Sequence, residues 1–356
     1  MRKIYLVRHG QPFFPNGEGY CLGSTDFPLS TLGRLQACLL GNGFDGREVT
    51  VFSSPLSRAY DTACAISPSP LVIDELREMH AGDWDGLTFR EIKERWPELF
   101  EARAYDKELV IPGSEDWHEG QNRFLAGVKK ALESTEGDIV IVAHTTVILS
   151  FICHIMGSEE YKDFSYRQGC GSWYMIEENQ GSMRCVFPWE RPRPELDEAL
   201  CLKLLQAANL PEHIIAHCKA VAEEAGRIAL ELIKAGLTLD RELIYTAALL
   251  HDIARLEEHH PEAGADWLTQ LGYERHAEII RRHHELESDS IDERAVVYIA
   301  DKLIQEADKV SLRARFEKSR EKCRSAEALA AHEKRAQQAL DIAEKINSLC
   351  NKELIT

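Results

Sequence analysis

Apolar and polar positions change their rhythm once along the chain. Up to about residue 187, short β-rich runs alternate with helix-patterned stretches, and beyond it the pattern is helical throughout. Residues 4–7, 48–52, 71–73 and 139–142 read as strands. The unbroken run Ile139-Val140-Ile141-Val142 predicts a strand buried on both faces, as in a parallel sheet. Between them, residues 32–40, 58–65, 88–96, 119–134 and 146–156 carry helical spacing. Alternating β and α elements predict a layered α/β domain, a mostly parallel sheet flanked by helices.

The segment Phe187-Pro188-Trp189-Glu190-Arg191-Pro192-Arg193-Pro194 breaks this pattern. Its prolines suit neither a helix interior nor an inner strand. It predicts a linker over residues 188–198, separating a domain at 1–187 from one at 199–356. In the second, Ile214, Val221, Ala225, Ile228 and Leu232 share one face of a long helix that Pro211 opens and Gly236 closes. Helices are expected over 240–254, 261–271, 274–286, 291–310 and 313–350, which makes this half an all-α bundle. The last, rich in Ala, Glu, Lys and Arg, reads either as a solvated cap or as a homodimer contact.

Composition narrows the function. Of 356 residues, 42 are Lys or Arg and 59 are Asp or Glu, a net charge of −17. That excludes non-specific nucleic-acid or anionic-membrane binding, which needs a cationic face. Small anionic substrates stay open, because a few local cations override the global field. No apolar run reaches the roughly 18 residues of a bilayer span. Arg8-His9-Gly10 interrupts the first apolar run, so no leader is expected and the cytoplasm is the expected location. Ten cysteines without a Cys-x-x-Cys pair read as reduced thiols.

Chemistry gathers where predicted strands end. The first strand runs into Arg8-His9-Gly10, the second into Ser53-Ser54-Pro55-Leu56-Ser57-Arg58, and the fourth into His144. Glu78 precedes the glycine-bounded turn Gly82-Asp83-Trp84-Asp85-Gly86. Two histidines, two arginines and a carboxylate suit phosphoryl transfer without a metal. Imidazole is a competent nucleophile near pH 7, arginines match phosphate oxygens, and a carboxyl group can protonate a leaving alcohol.

With Gly23, Asp26-Phe27-Pro28-Leu29-Ser30, Gly33, Gln36-Ala37 and Pro112-Gly113-Ser114-Glu115, these motifs occur in an order that resembles the histidine phosphatase (phosphoglycerate mutase-like) superfamily over residues 1–187. The resemblance implies an α/β fold, phosphorylation of His9, a phosphoryl group held by Arg8, Arg58 and His144, and Glu78 as proton donor. The Gly82–Gly86 turn and the short domain resemble the α-ribazole phosphatase and fructose-2,6-bisphosphatase side of the superfamily rather than the larger mutases. Gln11-Pro12, Asn16 and Thr145-Thr146 depart from the usual pattern.

The helical half holds nine of the fourteen histidines. Most lone helical histidines are surface or satisfied residues, and His213, His276 and His332 read that way. One member of each doublet, His259-His260 and His283-His284, is expected to face away. The His251-Asp252 pair on an apolar helix is different, because a buried carboxylate needs a cation or a donor; so is Asp301. Cysteine is missing from these positions, which disfavours structural zinc. The order His217, His251-Asp252, Asp301 resembles the HD-domain metal-dependent phosphohydrolases. The flanks of His260 and His283 are similar to those of the six-ligand, dinuclear subgroup, which includes bis(nucleosyl)-tetraphosphatases. That resemblance implies two divalent transition metals (Fe, Mn, Co or Ni) with Asp252 bridging them, and a hydroxide that attacks phosphorus.

The chain thus reads as a bifunctional phosphohydrolase acting on small phosphorylated metabolites or nucleotides. The N-terminal domain needs no cofactor and the HD domain is metal-dependent. Two other readings are a phosphatase regulated by a non-catalytic HD sensor and a phosphoglycerate mutase-type phosphotransferase.

Overall fold

Strand β1 (Arg2–Arg8) sends alternate side chains to opposite faces. Ile4 and Leu6 join Phe52, Ile139 and Ile141 in one apolar cluster, while Tyr5 and Val7 join Val51, Val140 and Val142 in another. A sheet apolar on both faces must be covered on both, and that is what the chain does. The computed structural model describes residues 1–106, 108–157, 168–284, 286, 290–321 and 323–356. It divides into two compact units, Met1–Pro194 and Glu195–Thr356.

In the first unit, β1 is followed by α1 (Thr31–Phe44), β2 (Val49–Ser53), α2 (Ser57–Ile66) and β3 (Leu71–Val72). Then come α3 (Phe89–Arg95), α4 (Pro97–Tyr105), α5 (Trp117–Glu133), β4 (Asp138–Ala143), α6 (Thr145–Met156), β5 (Ser172–Asn179) and β6 (Ser182–Glu190). The sheet order is β3-β2-β4-β1-β5-β6. The pairs among β3, β2, β4 and β1 are parallel, and β5 and β6 add two antiparallel strands beside β1. Leu40, Phe44, Ala59 and Ala63 of α1 and α2 cover one face; Phe124, Val128, Ile148, Phe151 and Ile152 of α5 and α6 cover the other. Each of the larger of these side chains, Leu, Val, Ile or Phe, contributes roughly 1.5–3 kcal/mol by leaving water.

Two details differ from the sequence expectation. No strand was expected between residue 156 and the prolines, yet β5 and β6 form a hairpin there. Gln180 and Gly181 both have positive φ, 51° and 86°, the two-residue turn that matches strand twist. The expected linker also begins too early, because β6 runs to Glu190. β6 is the sheet's edge, where a proline costs no ladder hydrogen bond.

The second unit comprises α7 (Glu198–Ala207), α8 (Glu212–Lys234), α9 (Arg241–Leu250), α10 (His260–Leu271), α11 (Glu274–Ile280) and α12 (Glu293–Leu303). A small hairpin, β7 (Ile304–Gln305) and β8 (Asp308–Lys309), precedes α13 (Leu312–Arg320) and α14 (Ala326–Cys350). Val221, Ala225, Ile228 and Leu232 are buried along α8, as their spacing predicts. Gly236, with φ 99°, follows its end in the left-handed conformation. The expected helix 291–310 stops at Leu303, and the expected 313–350 helix is two, with Ser325 capping the second. Regular helix also stops at Leu250 and Ile280, and turns carry His251-Asp252 and His283 beyond those ends. Among the described residues no helix is long and apolar enough to cross a membrane.

Candidate active site and metal centre

From β1 the chain passes to β2 on one side of the β1–β4 pair, and from β4 to β5 on the other. Beyond the strand ends at such a switch an open α/β sheet forms its ligand crevice. β1 delivers Arg8 and His9 there, β2 delivers Ser54, and β4 delivers His144. The backbone ties the three ends together: His9 N donates to Ala143 O at 3.1 Å, and Ser54 N to Val142 O at 3.0 Å.

The His9 and His144 rings lie 5.0 Å apart. His9 Nδ1 is 2.6 Å from the carbonyl oxygen of Gly10, which can only accept, so Nδ1 carries the proton and Nε2 keeps its lone pair. His144 is fully buried, with Nε2 2.8 Å from Ser54 Oγ. Burial pushes its pKa well below the usual histidine value, and the charges of Arg58, His9 and Arg8 push the same way, so this imidazole stays neutral.

Arg58 is 1% exposed. Its guanidinium donates to Thr25 O at 2.9 Å and Gly23 O at 3.2 Å, and lies 3.6 Å from Asp26. Those carbonyls are fixed in turn by Asp85, whose carboxylate accepts the Gly23, Ser24 and Thr25 N–H groups. Arg8 donates to Gln168 O at 2.7 Å. Glu78 accepts the N–H groups of Met79, Thr146 and Val147 at 2.9, 3.1 and 3.1 Å, two of them from the first turn of α6. Arg123 clamps the backbone below it, donating to the carbonyls of Glu75, Arg77 and Glu78 while its side chain pairs with Glu115.

Arg8, His9, Arg58 and Glu78 share the wall of one cavity of about 610 Å³. His144 lies against His9 but is not part of that wall. Arg8 Nε, Arg58 Nε and His144 Nδ1 are buried without a hydrogen-bond partner among the described residues. Gln11, Pro12, Thr145 and Thr146 line the cavity, whereas Asn16 sits on an exposed turn outside it. Ser54, Asp85 and Arg123 were not singled out by sequence for these positions. Ser54 and Asp85 at least lie inside the quoted motifs; Arg123 occupies an ordinary helical position with no local signal.

In the helical unit the expected donors converge. His217 Nε2 is 3.3 Å from Asp301 Oδ1, and His251 Nε2 is 3.6 Å from Asp252 Oδ2 and 3.7 Å from Asp301 Oδ1. The other oxygen of Asp252 lies 3.2 Å from His260 Nε2 and 3.7 Å from His283 Nε2. Nδ1 of His217, His251 and His283 meets the carbonyl oxygen of Glu306, Ala248 and Ile280 at 2.8, 2.7 and 2.6 Å. Those bonds put the protons on Nδ1 and turn every Nε2 lone pair inward, the outer support that metal-binding imidazoles use. His251 Nε2, His283 Nε2 and Asp252 Oδ1 are buried without a hydrogen-bond partner among the described residues. Oxygen and imidazole donors around orphaned buried atoms fit a divalent metal.

Among the described residues, two groups have ligand atoms within 4.8 Å of one another: His217, His251 and Asp252, and His260, His283 and His284. His259 is exposed and faces away as expected. His284 does not: its ring lies 5.0 Å from His260 and 4.3 Å from His283, because the turn after α11 keeps both neighbours on the inner side. Of the histidines read as unremarkable, His276 meets Thr246 Oγ1 and His332 meets Ser319 Oγ, while His213 lines the adjoining cavity.

Residues 4–188 match the model of the histidine phosphatase superfamily (branch 1), and residues 214–306 match that of the HD domain. The bifunctional protein Rv2228c of Mycobacterium tuberculosis is 34% identical over 154 residues, 41% of this chain and 42% of that protein. Phosphoserine phosphatase 1 of Hydrogenobacter thermophilus is 31% identical over 179 residues, 48% of this chain and 82% of that protein. A solved mycobacterial glucosyl-3-phosphoglycerate phosphatase is 28% identical, with a TM-score of 0.47 over 52% of this chain and 96% of its own. This chain spans less than half the length of the first of these relatives.

Proposed function

Because the chain belongs to the histidine phosphatase superfamily (branch 1), we propose that it is a bifunctional phosphoric ester hydrolase, with a phosphohistidine site in residues 1–187 and a metal-dependent site in residues 199–356. The observation that carries the first is one cavity wall bearing Arg8, His9, Arg58 and Glu78, with neutral His144 against the His9 ring. His9 Nε2 attacks phosphorus and the bond to the ester oxygen breaks. Arg8 and Arg58 stabilise the charge on the remaining phosphoryl oxygens, and His144 holds the phosphoryl group from beside His9. Glu78 gives the leaving alcohol its proton, then takes one from the water that releases phosphate from His9. The names of the relatives favour small phosphorylated metabolites as substrates, and a cytoplasmic location fits such substrates. Quenching the enzyme in mid-turnover should trap an acid-labile phosphoenzyme, with EDTA making no difference. His9→Ala should lose both the phosphoenzyme and turnover; undiminished turnover in that variant rejects the reading.

In the second site His217, His251, Asp252 and Asp301 would hold one divalent transition metal, and His260 and His283, sharing Asp252, a second. Bound there, Fe, Mn, Co or Ni supplies Lewis acidity and lowers the pKa of coordinated water. Anaerobic reconstitution should load about two metals per chain, and His260→Ala should reduce that towards one. One metal in both proteins rejects the dinuclear reading.

A further inference from the structure

Beside the metal donors the helical unit opens into a cavity of about 630 Å³, reached by His217, Asp252 and Asp301. Four cations stand on its wall: Arg255, Lys302, Arg315 and Lys318. Two have neighbours that explain them. Lys302 Nζ is 2.7 Å from Asp301 Oδ2, and Arg255 lies 3.8 Å from Asp252 and 3.1 Å from His260. Arg315 and Lys318 are different: among the described residues neither side chain has an ion pair or a hydrogen bond.

They are three positions apart on α13, so they share a helix face, and both reach the cavity. Arg315 is only partly exposed. In so acidic a chain, a partly buried arginine that meets no carboxylate among the described residues is out of place. Desolvating it costs free energy that an anionic ligand would return through charge-assisted hydrogen bonds. Among the described residues no carboxylate of the wall is paired with it. Asp252 and Asp301 are engaged with the histidines, and Glu306 is exposed, its carbonyl taken by His217 Nδ1. The HD match ends at residue 306 and α13 begins at Leu312, so this pair is an addition outside the matched region.

We propose that α13 supplies an anion subsite beside the metal donors, and that the ligand selected there carries at least two linked phosphates, one at the donors and the next held by Arg315 and Lys318. This rests on the reading of the helical unit as a phosphohydrolase site. With a metal held at the donors, a lone phosphate would engage that end, whereas a diphosphate would have a second phosphate to offer Arg315 and Lys318. The same chemistry is offered by a nucleoside diphosphate and by an inorganic polyphosphate.

The test is calorimetric titration of the full chain with orthophosphate, pyrophosphate and ADP, with Mn²⁺ and again in EDTA. With Mn²⁺, pyrophosphate should bind at least about tenfold more tightly than orthophosphate, since each charge-assisted contact is worth about that much; in EDTA both anions should bind at Arg315 and Lys318 alone. Arg315→Gln with Lys318→Gln should erase this preference with metal content and unfolding temperature unchanged. Arg313→Gln, on the exposed side of the same helix, should keep it. ADP binding more tightly than pyrophosphate assigns the subsite to nucleotides, and equal binding to inorganic chains. With Mn²⁺, equal affinity for orthophosphate and pyrophosphate, or a preference that survives the double substitution, overturns the proposal. A chain that takes up no metal refutes the phosphohydrolase reading separately, and the subsite is then decided in EDTA by whether the double substitution removes binding of orthophosphate and pyrophosphate.

Discussion

Glu78 shows how much of this site hangs on single side chains. Its two oxygens accept three backbone N–H groups, and Arg123 fixes the carbonyl of the same residue. A carboxyl group held this firmly over the cavity can serve as proton donor or merely as a brace, and leaving-group chemistry separates the two. Glu78→Gln should slow hydrolysis of an alkyl phosphate by about 10²- to 10⁴-fold, but of an activated aryl phosphate far less, since that leaving group needs no proton. Equal losses in kcat on both substrates leave Glu78 as a brace. The residues legible in the sequence were those whose type breaks the local pattern: an Arg-His pair closing an apolar strand, His144 after four β-branched residues, Asp252 on an apolar helix. Arg315, Lys318 and Arg123 obey the local pattern. The carbonyls that Arg123 clamps lie more than forty residues away in sequence, so its local pattern does not reveal them.

Between elements the support of Arg58 is indirect. Its two nitrogens lean on the carbonyls of Gly23 and Thr25, and those residues keep their place because Asp85 takes their N–H groups. Asp85→Ala should therefore lower kcat/KM by roughly 10- to 100-fold although Asp85 is not on the cavity wall, as small misplacements of a clamping group do. The unfolding temperature should move little. Undiminished kcat/KM would show that Arg58 needs no such support. In the helical unit, α9 and α11 are joined by His276 and Thr246 Oγ1 at 2.9 Å. Burial, with help from the charge of Arg275, pushes the His276 pKa down to about 4. The unfolded chain then binds a proton from about pH 6.5 downward that the folded chain refuses until pH 4, so stability falls as pH drops across that window. The loss should be on the order of 2 kcal/mol after screening. Denaturant midpoints at pH 7 and 4.5 should differ less for His276→Gln than for the native chain; the same difference in both excludes His276 as the cause. Helix and strand interiors were readable from periodicity, but their pairing was not. The β5–β6 hairpin and the edge position that admits Pro188 depend on partners that no local window contains.

At the scale of the whole chain, the sequence divides into two compact units between residues 194 and 195. The proposed phosphohistidine chemistry draws on residues of the first unit alone, and the candidate metal donors all lie in the second. One chain should therefore answer a chelator in two ways. A metal that binds only the folded helical unit stabilises it by RT ln(1 + [L]/Kd), about 2.7 kcal/mol at a hundredfold excess over Kd. At roughly 2–4 °C per kcal/mol for a unit of this size, EDTA should lower that unit's calorimetric transition by roughly 5–10 °C. Asp252→Ala places the loss at the shared ligand and should abolish the shift. His9→Ala should leave the shift intact. The converse readout is the His9-dependent turnover, which should survive both EDTA and Asp252→Ala. If either treatment removes that turnover, the first site draws on the metal centre, and the division of chemistry between the two units fails.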